Sequence, residues 1–149
     1  NDNQIPSIPT EFGQLTTLTQ LQAANNKIAS APSAILPVLL IVKLDNNLLS
    51  SLPPFVLTSP LVRTLRINRN LITTIPSQIS SLPLTILDIS YNTQITSLPS
   101  TFNQLTKLTT LSVVGDSLNC ESLALVVGMN VHHVWDAIYV RIVRLLYRR

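Results

Sequence analysis

The side chains in this 149-residue chain best suited to covalent or metal chemistry are His132, His133 and Cys120. Their spacing works against them. Neighbouring histidines on a helix point about 100° apart, whereas a shared metal wants them one turn apart. Cys120 lies twelve residues before the first, with no further ligand nearby. No phosphate loop, Gly-x-Ser-x-Gly or Cys-x-x-Cys occurs. The histidines therefore read as structural and Cys120 as a small packed side chain. No enzyme activity, metal, cofactor or small-molecule substrate is expected. Recognition chemistry is better represented. Arg66, Arg69 and Tyr91 are of the types that dominate interface energetics, combining contact area with directional polar groups. What they can do depends on the elements that hold them.

Composition narrows those elements. The chain is 46% hydrophobic but only 5% aromatic, so its core is aliphatic. Ten prolines against three glycines imply turns set by proline at fixed places. One cysteine permits no internal disulfide, which with the absence of an Asn-x-Ser/Thr sequon leans towards a reducing, cytoplasmic setting. The net charge of +3 is not spread over the chain. Residues 1–130 hold six basic and six acidic side chains, and the excess comes from Arg141, Arg144, Arg148 and Arg149 set against Asp136. A neutral body with a basic tail argues against a nucleic-acid surface, as does the scarcity of stacking aromatics.

The clearest pattern runs Leu84-x-x-Leu87-x-Ile89-x-x-Asn92, then Ile95-x-x-Leu98-Pro99. Alternation through Leu87 and Ile89 marks a short strand with one buried face. Such a strand cannot bury that face alone, so copies should flank it. The same frame appears at Leu18, Leu21, Ala23, Asn26; at Leu39, Val42, Leu44, Asn47; at Val62, Leu65, Ile67, Asn70; and at Leu108, Leu111, Val113, Asp116. Apolar-proline pairs punctuate it at Pro9, Pro32, Pro53, Pro76 and Pro99, spaced 23, 21, 23 and 23 residues apart. Residues 1–118 resemble the leucine-rich-repeat family, in its typical 23-residue intracellular class. A Thr or Ser precedes the apolar-proline pair where the plant receptor class usually carries Gly.

The resemblance implies an α/β solenoid, a right-handed coil with a parallel concave sheet and an irregular or 3-10 convex side. It also implies that Asn26, Asn47, Asn70 and Asn92 turn inward and form a buried ladder. Asp116 cannot donate as an amide does, so the ladder is expected to end there. Phe12, Ile35, Val56, Ile79 and Phe102, each three residues beyond a proline, are expected to fill the outer core. The outward strand residues would stack in columns on the concave wall: Gln22, Lys43, Arg66, Asp88, Ser112; then Ala24, Asp45, Asn68, Ser90, Val114; then Asn25, Asn46, Arg69, Tyr91, Gly115.

The chain opens inside a repeat and so reads as a fragment. Residues 119–149 leave the frame. Val131, Val134, Trp135, Ile138, Ile142 and Leu145 recur at helical spacing, with Arg141, Arg144 and Arg148 on another flank. Two readings stay open: a helix capping the last repeat, or a basic amphipathic helix on an anionic membrane surface with Trp135 at the interface. The functional expectation is a non-catalytic module that binds a protein partner through Gln22, Lys43, Asp45, Arg66, Asn68, Arg69, Asp88 and Tyr91. Its alternatives are a membrane-peripheral protein anchored by the basic tail, or the regulatory arm of a larger multidomain enzyme.

Overall fold

The computed structural model describes residues 3–127, 129 and 133–135. Six short strands form one parallel sheet in sequence order: β1 (Gln20–Gln22), β2 (Ile41–Lys43), β3 (Thr64–Arg66), β4 (Ile86–Asp88), β5 (Thr110–Ser112) and β6 (His133–Trp135). Pairing is in register with the sequence frame, so Leu21, Val42, Leu65, Leu87 and Leu111 align. Val42, Leu65, Leu87 and Leu111 are fully buried, and Leu21, on the edge strand, is half-buried. Each strand is only three residues long, and after β1 to β4 an inward-turned Asn four positions beyond the strand end marks where the chain bends away.

The convex side is built from proline. The carbonyls of Pro9, Pro53, Pro76 and Pro99 accept hydrogen bonds of 2.9 to 3.1 Å from the backbone N–H of Phe12, Val56, Ile79 and Phe102. Proline's fixed torsion pre-sets this tight turn and leaves no N–H unpaired. The result is three 3-10 segments, Thr10–Gln14, Ser77–Ser81 and Ser100–Gln104, and one short helix α1, Pro54–Leu57. The four residues that donate these bonds are buried, as the spacing predicts.

The stretch between β1 and β2 departs from that rule. It is two residues short, and Ile35, expected in the outer core, is 66% exposed while its neighbour Leu36 is fully buried. Shortening rotates the segment by one residue, so Leu36 takes the inward place. The thinner coil also lets Phe12 and Phe55, two coils apart, meet edge to face with ring centroids 5.3 Å apart.

After β5 the chain forms α2, Cys120–Val127. Asn119 caps it by accepting from the Ser122 N–H at 2.9 Å, and the buried Ser122 hydroxyl accepts from Leu98 N–H in the coil before. The helix expected to include Val134 and Trp135 is not what forms there: His133–Trp135 is a strand paired to β5, with Val134 in register with Leu111. Arg141, Arg144, Arg148 and the rest of the expected helix lie outside the described residues.

Candidate functional site

Register brings the expected columns together. Gln22, Lys43, Arg66, Asp88 and Ser112 are direct cross-strand partners in successive coils, about 4.8 Å apart. One amide ties this column to the next. Asn68 donates from Nδ2 to Asp45 Oδ1 at 2.7 Å and to Asp88 Oδ2 at 2.9 Å, using both of its hydrogens. Asp88 Oδ1 accepts from the Ser90 backbone N–H at 3.1 Å. Partial burial, then the nearby Asp88, push the Asp45 carboxyl above the ordinary range, while Arg66 and backbone N–H groups pull the other way. The two acids are therefore held by the protein itself. Among the described residues, Lys43, Arg63 and Arg66 form no ion pair at contact distance.

The third column sits where each strand ends. Asn25, Asn46, Arg69 and Tyr91 all have positive φ, between 54° and 57°, and Gly115 has φ 76°. Asparagine and glycine adopt this conformation cheaply; arginine and tyrosine do not. Their side chains form a stack. Asn46 Nδ2 donates to Asn25 Oδ1 at 3.0 Å, and the Arg69 guanidinium lies 4.9 Å from the centroid of the Tyr91 ring. Tyr91 packs in turn on Gly115, where an added Cβ would come within 2.7 Å of the ring. Tyr91 remains 47% exposed.

Beneath the column runs the asparagine ladder. Asn47 Nδ2 donates to the carbonyls of Leu44 in its own coil and Ala23 in the one before, and its Oδ1 accepts from Ile28 N–H at 2.9 Å. Asn70 repeats the pattern with Ile67, Leu44 and Leu49, and Asn92 with Ile89, Ile67 and Ile72. Asn26 donates within its own coil and accepts from Ile5 N–H. Asp116 corrects the expectation that the ladder simply stops. Its Oδ1 accepts from the Asn92 backbone N–H at 2.8 Å, while Oδ2 is buried with no partner. The acceptor half of the ladder continues for one more rung and the donor half ends.

Sequence reasoning missed two parts of this wall. Arg63 is exposed and shares a coil with Arg66 and Arg69. A further column, Gln20, Ile41, Thr64, Ile86 and Thr110, precedes the first and sets two half-buried isoleucines on the outward face. Strand parity carries the signal, because these residues stand two before Gln22, Lys43, Arg66, Asp88 and Ser112. Among the described residues no group of His, Cys, Asp and Glu could hold a metal ion, and no helix is long and apolar enough to cross a membrane.

Comparison with known proteins agrees with this geometry. The family model for the leucine rich repeat matches residues 60–118. The chain is similar to the functional domain of InlJ from Listeria monocytogenes, described as including a cysteine ladder, at 31% identity and TM-score 0.65 over 76% of this chain and 24% of that one. It is also similar to a leucine-rich-repeat protein of Leptospira interrogans (20% identity, TM-score 0.66, 88% of this chain and 41% of that one) and to the internalin inlF of Listeria monocytogenes (21%, 0.62, 86% and 44%). The chain thus spans between about a quarter and less than half of the length of these structures. No curated protein matches it. Coil register, asparagine ladder, family match and structural likeness agree: residues 60–118 match the leucine rich repeat, and the chain has the leucine-rich-repeat solenoid fold.

Proposed function

We propose that this solenoid is a non-catalytic module that binds a protein partner on its concave sheet. Leucine-rich-repeat proteins are in general protein-interaction modules. The observation that carries the reading to this face is the Arg69–Tyr91 stack. Two residues of hot-spot type occupy left-handed backbone positions that asparagine or glycine would fill with less strain. Strain of about 1 kcal/mol at each is retained for something the cheaper residues do not provide. Arg66, in the same coil as Arg69, and Lys43, in the coil before, extend the surface.

Selection of binders from a random displayed-peptide library on the wild-type chain tests it. Binders should be lost on the double variant Arg66→Glu, Tyr91→Ala and kept on a convex-face variant such as Gln78→Glu. The thermal melts of both variants should stay near wild type, since these side chains lie outside the core. Loss only on the convex variant would refute the assignment.

A further inference from the structure

The charges on the concave wall are of two kinds. Asp45 and Asp88 are half-buried and engaged by Asn68, with Asp88 also held by the Ser90 N–H. Arg63, Arg66 and Arg69 are exposed, and all three belong to one coil. Arg66 feels Asp45 at a distance, and Arg69 is stacked on Tyr91, but neither of these contacts neutralises the guanidinium at contact range. Lys43 stands beside Arg66 in the adjoining strand. What the β3 coil offers to a partner is therefore positive charge, with Arg63 just before the strand, Arg66 at its end on the outward face and Arg69 at the positive-φ turn that follows.

We infer that the partner segment seated on this row of arginines is acidic: an extended stretch of polypeptide that lies along the β3 coil and places carboxylates against Arg63, Arg66 and Arg69. This rests on the concave-face reading above and adds the chemistry of what that face takes. Each arginine stands three positions after the last, about 10 Å of extended chain. A polyproline-II segment with an acid at every third residue presents its carboxylates on one face about 9 Å apart, which suits the row. Guanidinium groups pair with carboxylates in two-pronged fashion, giving direction as well as charge. Asp45 and Asp88 lie in the coils on either side of the row, so a narrow acidic strand is accommodated while a broad polyanion meets like charge at both margins. Tyr91, stacked under Arg69 at the end of the coil, keeps about half of its surface exposed there and adds apolar contact area to the guanidinium it supports.

The test uses the whole chain and a labelled Glu-Pro-Pro repeat peptide, with Gln-Pro-Pro as its neutral counterpart and a short single-stranded oligonucleotide as a phosphate polyanion. Fluorescence anisotropy should show the acidic peptide binding at least about tenfold more tightly than the neutral one, with an affinity that falls as salt rises. Arg66→Glu should weaken it by a further factor of about ten or more, and Arg63→Glu with Arg69→Glu should abolish it. A variant with Arg141, Arg144, Arg148 and Arg149 changed to Gln should still bind. Equal binding of acidic and neutral peptides overturns the inference, as does loss on the tail variant alone or preference for the oligonucleotide. Library binders that depend on Arg66 and Tyr91 yet lack acidic residues would also overturn it while leaving the concave-face reading intact. Binders indifferent to both residues remove that reading itself.

Discussion

At the scale of single residues, Asp116 is where this solenoid departs most from its own rule. In the coils before it, an amide nitrogen fills the inner place and donates to two backbone carbonyls. By the ladder's register, the corresponding carbonyls at Asp116 are those of Val113 and Ile89, and a carboxylate oxygen aimed at them offers no hydrogen. Burial pushes the Asp116 carboxyl up to about 7, opposed by the Asn92 N–H it accepts and reinforced by Asp88. A raised acid favours the protonated folded state. The stability it contributes is fully present below pH 3.8, its unfolded value, and is lost as pH rises through about 7. The chain should therefore unfold at a higher urea concentration at pH 5.5 than at pH 8. Asp116→Asn restores the donor, so it should stabilise the chain at pH 8 by roughly 1–3 kcal/mol and flatten the pH dependence. A variant that keeps the wild-type slope would show that another group titrates.

Elements obey the repeat wherever the sequence frame is unbroken, and two breaks in it explain most of what the sequence left unread. The strands, the buried leucines and the ladder were legible because period, residue type and register all pointed to one structure. Ile35 was misplaced because a two-residue shortening does not announce which residue then turns inward. Leu36→Ala should accordingly cost about 2–5 kcal/mol, and Ile35→Ser no more than about 0.5 kcal/mol, by chemical denaturation. β6 was read as helix because Val131 and Val134 are three apart, which fits either structure, and Asp136 stands where the frame wants its next apolar residue. The side-chain stack at the strand ends was invisible for another reason: the frame places Arg69 and Tyr91 in one column but carries no sign of their left-handed backbone. That stack makes its own prediction. Gly115→Ala introduces a strained φ and a methyl within 2.7 Å of the Tyr91 ring. It should cost about 1 kcal/mol or more and displace the Tyr91 ring, seen as a changed Tyr91 ring-proton shift and as loss of the Arg69 contact. An unshifted ring would contradict the packing described.

Across the whole molecule, each coil touches little beyond its neighbours, so stability is close to a sum of coil and interface contributions. The middle coils have partners on both sides. Leu65, Leu87, Ile67 and Ile89 are fully buried, and Asn70 and Asn92 each bind carbonyls in two coils. The first coil has less: Leu18, Leu21 and Ala23 are only half-buried, and among the described residues Asn26 donates to carbonyls of its own coil. Backbone amide exchange should thus be slowest in β3 and β4 and fastest in β1. Removing the side chain of Leu65, by Leu65→Ala, tests how far the coils depend on one another. The cavity should cost about 2–5 kcal/mol and, because β3 joins the two halves of the sheet, should speed exchange in β2 and β4 together. Acceleration confined to β3 would mean that the coils open one at a time. A recognition row confined to the β3 coil would then be held by that coil alone, whereas coupled protection in β2 through β4 would mean that Arg63, Arg66 and Arg69 are presented on a wall stiffened from both sides.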